Sequence, residues 1–127
     1  MNPKKINNVV NLGDEERYSY FIRKVTEAEE VWGLYRDGWA TLSGNEQKTV
    51  IPFWPEEELA LLCCLDQWQA YTPRLITLND FMDKWLSGMK RENKLANIFY
   101  VNGKHTSIVI DPDILLEDLN GELHTYL

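Results

Sequence analysis

The chain has 127 residues, 44% of them hydrophobic and 12% aromatic, and a formal charge of −7. That balance excludes a disordered chain and suits a single domain, residues 1–127, large enough to bury its own core. The acidity argues against nucleic acid as a partner, because such affinity rests on Lys and Arg neutralising phosphates.

From the N-terminus, residues 3–11 read as a short first helix. "LGDEERYSYFIRKVTEAEE" follows, with Asp14, Glu15 and Glu16 in a first turn where negative charge is favoured. Tyr18, Phe21, Ile22 and Val25 recur at helical spacing, which leaves Arg17, Arg23, Lys24 and Glu27 for the other face. The period then changes. In "EVWGLYRDGWATLS" two β-rich runs flank Asp37-Gly38, a strong hairpin signal that would set Trp32 opposite Trp39. "SGNEQK" is a polar turn and "TVIPFWP" a third strand, giving an expected meander. Pro52 points to an edge or a bulge, since it cannot donate to a ladder.

Pro55 suits a first helical position, and Glu56, Glu57 and Glu58 fill another acidic first turn. Cys63 and Cys64 would sit on the buried face of that helix, as inert thiols. "LITLNDFMDKWLSGMK" carries the cleanest helical stripe: Leu78, Phe81, Met82, Trp85, Leu86 and Met89. Thr77 is its expected N-cap, and Gly88 stands near its expected end. Asn102-Gly103 marks a C-terminal hairpin, after which Asp111 caps a last helix with Pro112 at its first position. The order of elements predicts an α+β fold with a mainly antiparallel sheet, a meander plus a C-terminal hairpin packed with helices.

Catalytic signals are sparse. No phosphate-cradling or nucleophile-elbow motif occurs, and no His or Cys spacing suits a metal. No cofactor is expected. Most carboxylates sit at helix starts, where capping accounts for them. An enzyme reading would rest on His105 with Asp111 or Asp113. More suggestive is "DQWQAYTPRLI", where Trp68, Tyr71 and Arg74 crowd an apparent connection with Pro73, since those residue types dominate interface hot spots. Trp54, at a sheet-to-helix turn that Pro55 already explains, is the other unaccounted aromatic, with Glu56 and Glu57 beside it.

"NNVVNLGDEERYSYFIRKV", "EEVWGLYRDGWATL", "VIPFWPEEELALLC" and "LITLNDFMDKWLSGM" together resemble a small bacterial family known as domain of unknown function 2750. The resemblance runs nearly end to end and carries no catalytic residues. The order of "IPFWPEEELA", "ITLNDFMDKWL", a hairpin and "IDPDILLEDL" is more distantly similar to the N-terminal domain of serine-sensitivity-enhancer-like proteins. That likeness implies an α+β binding domain of the kind found in bacterial secretion and toxin-immunity neighbourhoods. Trp54-Pro55 stands where those proteins have small polar residues.

The expectation is therefore a non-enzymatic protein-binding module, with Trp54, Glu56, Glu57, Trp68, Tyr71 and Arg74 as candidate contacts and a basic protein as partner. An oligomerisation role through the Pro52 edge or the Trp68 segment is the other alternative, with the protein itself a monomer or weak homodimer. The lack of a disulfide framework, of an apolar leader and of a run near the roughly 18 residues needed to span a bilayer predicts a cytoplasmic protein without a membrane partner.

Overall fold

The structure, a computed structural model, describes residues 2–43, 48–104 and 106–125. Helix α1 (Pro3–Val10) is opened by Asn2, whose side chain accepts the Lys5 N–H at 2.8 Å. Helix α2 (Asp14–Ala28) carries its three acids in the first turn and buries Tyr20, Phe21, Ile22 and Val25. Arg17 departs from the expected solvent face, being only 1% exposed. Its guanidinium donates from Nε to the Phe99 carbonyl at 3.2 Å, from Nη1 to Leu12 at 2.7 Å and from Nη2 to Thr106 at 2.5 Å. A buried cation is tolerable when its donors are satisfied in this way. Burial lowers its pKa, and nearby Asp14 opposes that shift.

Among the described residues six strands follow in two sheets. β1 (Glu30–Tyr35) pairs antiparallel with β4 (Thr72–Thr77). The other sheet runs β2 (Leu42–Ser43), β3 (Thr49–Phe53), β5 (Leu95–Ile98), β6 (Ile108–Ile110). Only its β3–β5 pairing is parallel; β2–β3 and β5–β6 are antiparallel. The fold is α+β with mainly antiparallel sheets.

The expected three-strand meander does not form. The Asp37-Gly38 turn is real, with Asp37 at φ 54° and the Ala40 N–H bonded to the Leu34 carbonyl at 2.8 Å. However, among the described residues only one bridge, Tyr35 to Trp39, extends it. Trp39 turns over the backbone of β1 instead of facing Trp32: a Cβ on Gly33 would lie 2.9 Å from the Trp39 ring. β1 takes β4 as its partner, a strand that sequence patterning read as a loop because Pro73 interrupts it and only Ile76 is buried. Pro52 keeps a partial edge character. β2 reaches only Thr49 and Val50, so β5 alone flanks Pro52 in register, at Asn97.

Helix α3 (Glu57–Leu61) begins two residues after Pro55, with Glu56 at the N-cap. It ends before the cysteines, so Cys63 and Cys64 lie in the turn that follows rather than within the helix. The next helix comes in three pieces: α4 (Leu78–Asp80), a π turn (Phe81–Trp85) and α5 (Leu86–Arg91). Thr77 caps it as expected, accepting the Asp80 N–H at 3.2 Å. The π turn, closed by the Leu86 N–H on the Phe81 carbonyl, inserts a residue into the 3.6 period. Phe81, Leu86 and Met89 stay buried, while Trp85 is left half-buried at the rim of the stripe. The helix runs past Gly88. Asn93 stops it in the left-handed region at φ 58°, and the Lys94 N–H bonds back to Met89 at 2.8 Å. In α6 (Pro112–His124), Asp111 caps as expected, accepting the Asp113 N–H at 3.0 Å.

One core connects these layers. Phe53 meets Phe81 and Trp85 edge to face at 4.8 and 5.8 Å, and Trp85 meets Trp39 at 4.7 Å. A second aromatic group sets Trp54, Trp68 and Tyr100 edge to face in series at 6.0 and 5.6 Å. Among the described residues no helix is long and apolar enough to cross a membrane.

Candidate functional site

The acidic residues that open α3 meet the C-terminal end of α2 and the start of β1 around a groove of about 400 Å³. Glu27, Glu30, Glu56, Glu57 and Glu58 line it, with Lys24 the one cation among the lining residues. Lys24 reaches Glu27 at 4.0 Å, one helical turn away. Trp32 and Pro55 supply the apolar part of the lining.

Each wall has a local cause. Glu57 and Glu58 occupy the first turn of α3, where the helix dipole favours them. Glu56 precedes them in extended conformation and does not cap with its side chain. Its carboxylate instead accepts a short hydrogen bond from the Tyr20 hydroxyl. Burial, and then that carboxylate, push the Tyr20 pKa well above its ordinary value. Glu58 is held below the usual carboxylate range, first by its own backbone N–H. Glu27 is different. It lies in the last turn of α2, which contains no basic residue, and so runs against the macrodipole. Glu30, two residues beyond the helix, faces the same groove.

Among the described residues no three His, Cys, Asp or Glu side chains are placed to hold one metal ion. What the groove offers is negative potential around a tryptophan, which suits an ammonium or guanidinium group.

The predicted contacts divide. Glu56 and Glu57 are in the groove. Trp54 is fully buried, its Nε1–H donating to the Tyr100 carbonyl at 2.9 Å. Trp68, 4% exposed, ends a 3₁₀ turn (Asp66–Trp68) and packs against Trp54. Neither presents a surface to a partner; both anchor the core. Tyr71 is half-buried. Arg74 is exposed, with its guanidinium 4.2 Å from the Tyr35 ring centre and 5.7 Å from that of Trp39. It cannot join the acidic groove. Leu75 is the register partner of Trp32, so alternation puts Arg74 on the opposite face of the β1–β4 ribbon.

For the enzyme reading, His105 lies outside the described residues. Asp111 and Asp113 are both engaged by Lys90, at 3.4 and 2.9 Å, and Asp111 caps α6. The Asp113 backbone N–H, followed by Lys90, lowers the Asp111 pKa. Cys63 is buried with its pKa pushed up to about 11, chiefly by desolvation, and Cys64 is raised for the same reason. Sequence reasoning missed Glu30 and Trp32 as groove residues. The available signal was the acidic run "EAEE" at a helix C-terminus, where charge and dipole conflict.

A family model described as "Protein of unknown function (DUF2750)" matches residues 18–119. Comparison with curated proteins returns no match.

Proposed function

The chain belongs to the DUF2750 family of proteins of unknown function, and on that premise we propose that it is a non-enzymatic protein-binding module whose acidic groove takes a basic segment of a partner, as a toxin-immunity or adaptor protein would. One observation carries the reading: five carboxylates from three separate elements converge on one concave surface beside Trp32. At least one of them, Glu27, occupies a position that local helix electrostatics disfavours. A Lys or Arg side chain laid against Trp32 would gain cation–π attraction and carboxylate partners together.

Exposed ion pairs contribute only about 0–1 kcal/mol each, so this groove would steer and orient a partner more than grip it. The reading includes a cytoplasmic location, supported by two free thiols, and a protein that is by itself a monomer or weak homodimer.

Affinity capture from native lysate, with identification by mass spectrometry, tests the proposal. The wild-type protein should retain a protein with a basic surface or segment in low salt and release it near 0.5 M NaCl, where the Debye length falls to about 4 Å. The Glu30→Lys/Glu57→Lys variant should retain none of it. Capture that is unchanged by both salt and charge reversal would remove the reading.

A further inference from the structure

A second groove, of about 410 Å³, lies between β3 and the α4–α5 helix, and its lining differs from the first in both charge and apolarity. Trp39 and Trp85 form its walls, and Met89 and Ile51 also line it. Lys84 and Lys94 stand against one anion, Glu92. In a chain of charge −7 the lining itself carries a net positive charge, which Asp80 beside Lys84 balances. We propose that this groove is a binding site for a small planar aromatic anion, a ring bearing a carboxylate, sulfonate or phosphate.

The walls are already built. Gly33 lets the Trp39 ring lie directly on the β1 backbone, since any Cβ would come within 2.9 Å of it. Trp85 meets that ring edge to face at 4.7 Å, and Tyr35 meets it at 5.2 Å. Trp39 is thereby held without being buried, which keeps the ordering cost of binding low. The π turn leaves Trp85 half-buried at the groove instead of fully within the stripe. Single π turns of this kind recur at functional sites. The volume falls in the range of roughly 300–1,000 Å³ typical of small-ligand pockets lined by aromatics and a few polar groups.

The cations are placed to serve a ligand. Lys84 is paired with Asp80 at 3.6 Å by an exposed contact and Lys94 with Glu92 at 3.4 Å by a partly exposed one, and a ligand anion can replace such surface pairs at little cost. A ring against Trp39 and Trp85 puts its acidic substituent within the field of both ammonium groups. A neutral ring would forgo that term, and a bare anion would forgo the stacking.

The test uses the intact protein and three probes: 8-anilinonaphthalene-1-sulfonate, its neutral relative N-phenyl-1-naphthylamine, and inorganic phosphate. Titration followed by NMR should show the sulfonate binding one to one, with shifts at the indole N–H signals of Trp39 and Trp85. The neutral amine should bind at least about fivefold more weakly, and phosphate should move neither indole. Lys84→Ala/Lys94→Ala should weaken the sulfonate about fivefold with an unchanged unfolding midpoint, and Glu57→Lys in the acidic groove should leave it unaffected. Equal binding of the sulfonate and the amine, an unaffected lysine variant, or shifts centred on the exposed Leu61, Leu62 and Leu65 would overturn the proposal.

Discussion

Trp32 and Trp54 exchange two backbone hydrogen bonds, Trp32 N–H to the Trp54 carbonyl at 2.9 Å and Trp54 N–H to the Trp32 carbonyl at 2.8 Å. This isolated antiparallel bridge joins the β1–β4 ribbon to the residue that follows β3. It seats the start of α3 beside the end of α2, and so assembles the acidic groove. The Trp54 ring is locked beneath it by Trp68 and by the Tyr100 carbonyl.

Trp54 is therefore a stability residue. Trp54→Ala removes a fully buried ring, and the expected loss is about 3–5 kcal/mol, a large part of the stability of a domain this size. Trp54→Phe keeps most of the burial but leaves the Tyr100 carbonyl without that donor, for a loss of about 1–3 kcal/mol. Urea unfolding of both variants measures the order. A Trp54→Ala protein as stable as wild type would show that the site is not packed as described.

Arg17 makes a comparable demand from a different chemistry. Three donors satisfy three backbone carbonyls on two segments, residues 12 and 99–106. Arg17→Met keeps the stem but orphans those carbonyls, and about 2–4 kcal/mol should be lost. Arg17→Lys should rescue little, because one ammonium cannot reproduce the planar fork. Amide hydrogen exchange should show faster exchange in residues 99–104 for both variants. Wild-type protection there would contradict the tie.

Alkaline pH should loosen the protein before it reacts. Burial raises the Cys63 thiol to about 11, and the Tyr18 and Tyr20 hydroxyls also rise, by burial and then by their hydrogen bonds to Asp118 and Glu56. All three groups hold their protons more tightly folded than unfolded. The stability they contribute is whole below their unfolded pKa values and declines as pH climbs from about 9 toward the raised values. The thermal midpoint should fall above pH 9, and Cys63→Ala should blunt the first part of the fall. At pH 8 Cys63 should react with iodoacetamide only through unfolding. Rapid alkylation of native Cys63 would refute the burial.

Much of the architecture was legible in local chemistry. Thr77 and Asp111 cap the helices that their positions announced, and Asp37-Gly38 and Asn102-Gly103 turn the chain where turn residues permit it. The α+β class follows from the alternation of periods. These features depend on neighbours within a few residues, so a one-dimensional pattern contains their cause.

Long-range choices had no such signal. β1 could have extended its pairing with the strand after its turn; instead Trp54 bonds to that edge at Trp32, and β4 pairs along the other edge. Arg17 and Trp54 carry polar handles that suggest surface, yet backbone carbonyls far along the chain accept from them inside, and Trp68 packs there against Trp54 and Tyr100. The sequence by itself determined that acids open α3, although the helix begins at Glu57 and not at Pro55, and that no base stands in the last turn of α2. Only the tertiary structure decided that these carboxylates share one groove with Trp32, and that Trp39 and Trp85 flank another. Proximity across tens of residues is set by which apolar faces bury each other, and that selection is collective.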